Sequence, residues 1–272
     1  DRYKANFSAR ATRRTPPSEE GRFTLRYQKS LAQPPLLRAR ERKAEQRRGV
    51  LANTMRAADQ PTHMLSSLLH ATSETTHSSA ALQAGCADMV ALAERMPTQL
   101  YMHLHEVIKQ LWVAAFDGKV ETREAARRAI GACLSVVGQR DPLLRARWHM
   151  TIFEDAIAGL NEARSGGDAA HGSLLVLIEL LNAAGEAGDP GTFDLASLQR
   201  ACEAVWALRE SRHRHVRLAL LAVLPRLASA SPAALAIRWL PDYASHLLAA
   251  LQAGAEMRSA ALINLGRCAV AL

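Results

Sequence analysis

The sequence predicts an all-α chain: an α-solenoid of about five antiparallel helix pairs, preceded by a basic, poorly ordered N-terminal arm. Three observations carry that prediction. Ala and Leu dominate a chain that is 49% hydrophobic and only 5% aromatic, and both lose little side-chain entropy in a helix. Alternating runs rich in Val, Ile, Thr and Tyr, the mark of strands, are missing. Four segments repeat one pattern, a polar or charged turn that enters an Ala/Leu-rich helix: Asp117–Arg123, Asp168–Gly172, His215–Arg217 and Glu256–Arg258. Their anchors, Val120, Ala170, Val216 and Met257, follow one another at intervals close to the period of HEAT and armadillo arrays, roughly 40–47 residues. Such arrays are stacked helix pairs that enclose no active site.

The chain divides into three parts. Residues 1–60 form a basic, low-order arm, broken at Pro16-Pro17 and Pro34-Pro35, with one exposed basic helix over Leu36–Ala58. Residues 61–79 are a linker or short helix, opening at Pro61 and ending in the polar Thr72–Ser79 stretch. Residues 80–272 are the HEAT-like solenoid. Within it, Leu82, Cys86, Met89, Val90 and Ala93 make one apolar stripe of a helix over Ala80–Met96. Pro97 suits the first turn of the next helix, Thr98–Phe116, which stops at Asp117-Gly118. Its partner is Val120–Val137. Asp141-Pro142 opens a pair made of Leu143–Ala163 and Ala169–Ala184, with Asp168 placed to cap the second member. That second member is almost continuously apolar, as a helix buried between neighbours is. Ala196–Arg209 pairs with Val216–Leu227, where Pro225 is expected to kink the helix or end it early. Pro232–Leu251, broken at Pro241, pairs with Glu256–Val270.

Charge is as unevenly distributed as structure. The chain carries a formal net charge of +8. Residues 1–60 hold 15 Lys and Arg against 6 Asp and Glu, and the rest holds 19 against 20. The basic character therefore belongs to the arm, and the array itself is no nucleic-acid binder by charge. The run Arg38–Lys43 with Arg47-Arg48 lacks interleaved aromatics for base stacking and has Glu41 and Glu45 beside it. The four cysteines, Cys86, Cys133, Cys202 and Cys268, each sit alone in an apolar helix, which reads as free core thiols in a reducing compartment. No apolar run approaches the roughly 18–20 residues of a membrane span, so no transmembrane segment is expected.

Four stretches together resemble the N-terminal HEAT region of the target of rapamycin kinases, Ser/Thr kinases of the phosphatidylinositol-3-kinase-related group. The first is Leu111–Asp117 with Arg123–Ala126 and Ala132–Leu134. The second is Gln139-Arg140 with Trp148, Ile152–Glu154 and Gly159-Leu160. The third is His171–Leu175 with Glu179–Leu181, and the fourth is Val216–Leu218 with Leu224–Leu227. The resemblance covers about residues 80–272. It implies a scaffold segment of a growth- and nutrient-signalling kinase. It also implies protein partners, a raptor-like subunit and other complex components, and a homodimer formed through the parent kinase. The implied location is intracellular and cytoplasmic, peripheral on lysosomal or vacuolar membranes as part of a complex. The Gly-rich loop, the His-Arg-Asp loop and the Asp-Phe-Gly motif of kinases are not in the sequence, so the kinase domain of such a protein would lie outside these residues. A free-standing HEAT adaptor for transport or phosphatase assembly, and a nucleic-acid binder acting through the arm, are the alternatives.

No catalytic, cofactor-binding or metal-binding residue is predicted. Ten histidines are present, but none completes a tetrahedral set with Cys, Asp or Glu at a familiar spacing. The residues singled out are structural ones between repeats: Asp117, Arg123, Arg217, Arg258 and His171. The Asp117 carboxylate is expected to satisfy free backbone N–H groups and to accept from the arginine of a neighbouring repeat. Arg217 and Arg258 are expected in the place of Arg123. His171 is expected to be buried at a helix start, bonded to a backbone carbonyl.

Overall fold

The computed structural model describes His63 and residues 78–162, 166–186 and 193–271, and every described element is a helix. The predicted arm and nearly all of the linker lie outside the described residues. The helices are α1 (Ser79–Arg95), α2 (Pro97–Met102), α3 (Leu104–Ala115), α4 (Val120–Gly138), α5 (Pro142–Glu162) and α6 (Gly167–Glu186). They continue with α7 (Leu195–Trp206), α8 (Arg214–Ala230), α9 (Pro232–Arg238), α10 (Leu240–Leu251) and α11 (Ala255–Ala271).

Each helix buries one stripe. In α1 the buried residues Leu82, Cys86, Met89 and Leu92 recur three or four apart. Pro97 sits in the first turn of α2, where its missing N–H costs nothing. The single helix expected over 98–116 divides at His103. There the His103 N–H bonds the Leu100 carbonyl at 3.1 Å in a tighter turn, with Leu100 and Leu104 both buried on either side of it. Asp141 accepts the Leu143 N–H at 2.9 Å at the head of α5, and Asp194 accepts the Ser197 N–H at 2.7 Å at the head of α7, two ordinary N-terminal caps. Pro225 does not end α8, which runs past it to Ala230. Pro225, Leu224 and Leu227 are all buried, and packing around the helix holds the turn that the proline weakens.

The packing order defines an all-α solenoid. One layer is continuous: α1 lies on α4, α4 on α6, α6 on α8 and α8 on α11. The flanking layer is α2–α3, α5, α7 and α9–α10, each set against its partner in the continuous layer. The four complete pairs among the described residues are α3/α4, α5/α6, α7/α8 and α10/α11. Helix α1 is a member of the continuous layer that packs on the first pair.

Helix α6 is the centre of this packing. It touches α3, α4, α5 and α8 and is buried almost without interruption from Ala170 to Leu181. Such contact needs backbones to come close, and Gly172 permits it: a β-carbon there would overlap the Ala115 carbonyl oxygen at the end of α3. Helix propensity alone says that Gly172→Ala stabilises α6 by about 1 kcal/mol. Packing says the reverse, because backbone cannot step aside as a side chain can. Gly172→Ala is expected to destabilise the array by about 1–3 kcal/mol, read as a lowered midpoint in thermal unfolding followed by circular dichroism.

Candidate functional site: the joints between repeats

A helix start leaves N–H groups unpaired and a helix end leaves carbonyls unpaired. The turns into α4, α8 and α11 resolve the second problem with arginine. Arg123, Arg217 and Arg258 are each the fourth residue of their helix, and each folds back onto the preceding turn. Arg123 Nη1 donates to the Asp117 carbonyl at 2.6 Å. Arg217 Nη1 donates to the Ser211 carbonyl at 2.7 Å. Arg258 Nε donates to the Leu251 carbonyl at 3.1 Å. The last two remain within their own turns and are partly or fully solvated.

Arg123 goes further. Its side chain is completely buried and Nη1 also meets Asp168 Oδ1 of the next repeat at 2.7 Å. Its Nε donates to His171 Nδ1 at 2.9 Å. One guanidinium thus ties the α3–α4 turn to the first turn of α6. Three expectations change in consequence. Asp168 does not stand outside α6 as a cap; it lies in the first turn and turns its carboxylate to Arg123. His171 is buried, but its Nδ1 accepts from a guanidinium instead of bonding a carbonyl. Asp117 does take a free backbone N–H, that of Lys119 at 2.8 Å, yet its carboxylate accepts from Ser79 of α1 at 3.2 Å, not from a neighbouring arginine.

The surroundings of His171 hold it neutral. Burial, then the charges of Arg123 and His215, push its pKa from the usual 6.5 down to about 3. The His215 ring stands edge-on to it at 4.9 Å between centroids. Burial first, and Arg123 next, also lower His215.

Further polar bridges cross the continuous layer at residues the sequence did not single out. Gln83 Nε2 of α1 donates to Thr122 Oγ1 of α4 at 2.9 Å. Arg127 of α4 pairs with Glu179 of α6 and with Glu124 on its own helix. Arg226 Nε of α8 donates to Asn182 Oδ1 of α6 at 2.7 Å. Arg214 of α8 pairs with Glu256 of α11. In the flanking layer Arg200 forks onto Glu154 at 2.6 and 3.0 Å. Partners in these pairs stand close to one repeat apart along the chain, which was the signal available for them.

Nothing in this arrangement is poised for nucleophilic chemistry. The four cysteines are free and buried, and burial pushes the thiols of Cys86 and Cys133 up to about 12 and of Cys202 to about 11, so each stays a thiol. Among the described residues no group of three or more His, Cys, Asp and Glu is placed to hold a metal ion, and no helix is long and apolar enough to cross a membrane. Three grooves among the described residues are lined by helices of the continuous layer. One of about 480 Å³ runs over α4, α6 and α8 to Glu256 of α11. Another of about 260 Å³ lies between α4 and α6, and a third of about 490 Å³ lies between α8 and α11.

An array of stacked helix pairs with bridged joints is an all-α solenoid. No protein-family profile matches the chain. The Ser/Thr-protein kinase TOR of Arabidopsis thaliana is 33% identical over 181 residues, 66% of this chain and 7% of that protein. Tor1 of Schizosaccharomyces pombe is 31% identical over 182 residues, 67% of this chain and 7% of the relative. TOR2 of Saccharomyces cerevisiae is 28% identical over 158 residues, 58% of this chain and 6% of the relative. The chain belongs to the target of rapamycin kinase family, and it spans about 7% of the length of the first of these relatives.

Two outcomes follow for the joint. Arg123→Ala removes a buried cation and strands the Asp117 carbonyl and His171. It is expected to cost about 2–3 kcal/mol, the low side for a buried pair because Asp168 is half exposed. Arg217→Ala and Arg258→Ala are expected to cost about 0.5–1.5 kcal/mol each, since their carbonyl partners can turn to water. Urea unfolding of the three variants separates these values. For pH, the unfolded chain binds a proton at His171 near 6.5 and the folded chain does not until about 3. Between those values the unfolded state holds more protons, so stability falls as pH falls, by up to about 2 kcal/mol at pH 5. His171→Gln is expected to flatten that part of the stability–pH curve.

Proposed function

We propose that this chain is a non-catalytic HEAT-repeat scaffold segment of a target-of-rapamycin-like Ser/Thr protein kinase, presenting a surface to protein partners in growth and nutrient signalling. The observation that carries this reading is the extent of the match. Identity of 33% runs over 181 residues of the chain, yet touches only 7% of a protein named as a kinase. A segment so small a part of its relatives, without the phosphate-gripping loop or catalytic loop that phosphoryl transfer needs, contributes shape and contact. The proposed partners are a raptor-like subunit and other components of such a complex, with homodimerisation through the parent kinase and an intracellular setting. Asp117, Arg123, His171, Arg217 and Arg258 are proposed to act as structural residues of the joints that keep this surface stiff. Their bonds to turn carbonyls, and those of Arg123 to the next repeat, support that role.

Affinity capture with the full chain from a cell lysate, followed by mass spectrometry, tests the reading. Enrichment of a raptor-like or other target-of-rapamycin complex subunit is expected, with loss of that enrichment for Arg123→Ala if the joint sets the surface. Enrichment of transport or phosphatase subunits in its place would show a free-standing adaptor and refute the kinase-scaffold assignment.

A further inference from the structure

The groove between α8 and α11 is unlike its neighbours in charge. It is lined by Asn182 of α6, by Pro225, Arg226 and Ser229 of α8, and by Ile263, Gly266, Arg267 and Val270 of α11. Two guanidinium groups face it and no carboxylate lines it. Arg226 spends Nε on Asn182 and Nη1 on the Ala222 carbonyl, neither of which neutralises its charge. Arg267 is exposed and pairs with no carboxylate among the described residues. Arg226 feels its cationic neighbour: burial first, then the charge of Arg267, weakens its hold on its proton, with Glu179 of α6 acting the other way. Asn182 gives its oxygen to Arg226, which leaves its amide N–H groups as donors. The rim of the same groove is apolar. Ile263 is 54% exposed and Val270 is 90% exposed, and Pro225 is part of the lining.

Two like charges that line one groove with spare donors, and no carboxylate in that lining, fit an oxyanion, and the aliphatic rim fits an aliphatic side chain next to it. We propose that this groove is a docking site for an acidic peptide segment of a partner protein. A Glu or Asp carboxylate is held between Arg226 and Arg267, and a neighbouring aliphatic residue lies against Ile263 and Val270. A nucleic acid fits less well. The surface changes sign across α6, where Glu179 and Glu186 line the adjacent groove, so a polyanion running along the array meets repulsion. No aromatic ring lines the groove for a base to stack on.

The test is direct binding to the full chain, separate from any lysate capture. The probe is a fluorescein-labelled, C-terminally amidated peptide Leu-Glu-Glu-Leu-Glu-Leu, followed by anisotropy at low and at physiological salt. The site predicts saturable binding that weakens with salt. The peptide with Gln in place of Glu should bind about ten-fold more weakly, and Arg267→Glu should weaken the Glu peptide by about ten-fold or more. Arg267 is exposed and bonds nothing that holds the fold, so unchanged circular dichroism is expected. Ile263→Asp is the second variant and should weaken the peptide while leaving the helices intact. Absence of saturable binding at millimolar peptide, equal binding of the Gln peptide, or full binding by folded Arg267→Glu would each overturn the assignment. So would a uridine octanucleotide that binds more tightly than the peptide and depends on Arg267.

Discussion

The array depends on how closely other helices can approach α6. Glycines sit at four of those contacts, and at one of them backbone meets backbone. Gly172 meets the Ala115 carbonyl at the end of α3, Gly159 of α5 meets Ser173, Gly131 of α4 meets Glu179, and Gly167 meets the ring of His213 beside α8. A β-carbon at Gly172 would overlap backbone that cannot step aside, at Gly159 and Gly167 it would press on buried or ring side chains, and at Gly131 it would displace only the flexible end of Glu179. A helix that is apolar on nearly all sides gains from burial only if every neighbour reaches it, and dispersion contacts are lost with a gap of even half an ångström or so. The glycines give up about 1 kcal/mol each of helix propensity and gain a central helix whose Leu174, Val176, Leu177 and Leu180 are shut off from water.

Close approach brings polar groups in with the apolar ones, and the joint at Arg123 is where this matters most. Burying a guanidinium is costly unless it is paired and its donors are used. The first turn of α6 supplies the pairing through Asp168 and His171, and the α3–α4 turn supplies a carbonyl, while Nη2 stays buried without a partner, so part of the cost is not offset. Repeat arrays are stabilised by each unit and by each interface between neighbours. A bond network that spans the interface therefore shifts stability from the single repeat to the pair. The bridges Gln83–Thr122, Arg127–Glu179, Arg226–Asn182 and Arg214–Glu256 place one such tie at each contact of the continuous layer.

Much of this was legible in the chain, and the exceptions have physical reasons. The regular recurrence of Val120, Ala170, Val216 and Met257 and the three-and-four apolar stripes located the helices and their turns. The break at His103 was not legible, because Leu100, Leu104, Val107 and Leu111 keep a helical rhythm through it; only the bond from the His103 N–H to the Leu100 carbonyl shows that the turn tightens. Pro225 misled in the other direction. Local chemistry says that proline ends a helix, but the buried face of α8 continues through Leu224, Leu227 and Ala228, and tertiary packing outweighs one missing hydrogen bond. The bridging arginines Arg127 and Arg226 carry no local mark at all, since an exposed arginine on a helix is the ordinary case and its partner lies a whole repeat away.

His171 shows how a single replacement changes what a joint does. The slot filled by Arg123, His171, Arg217 and Arg258 recurs once per repeat, near the start of each helix of the continuous layer from α4 onward. Where the slot holds arginine at an outer turn, as at Arg217 and Arg258, its donors end on carbonyls of the same turn and the joint is closed within one repeat. At α6 the slot holds an imidazole, which can accept as well as donate. The preceding arginine can then reach forward into it, and the bond that would have closed one turn links two. That exchange needs a neutral ring, and burial beside a permanent cation keeps it neutral. An arginine at position 171 would face Arg123 with like charge and no acceptor. The single replacement of a donor by an acceptor at this slot is thus what allows the buried joint to link two repeats at α6.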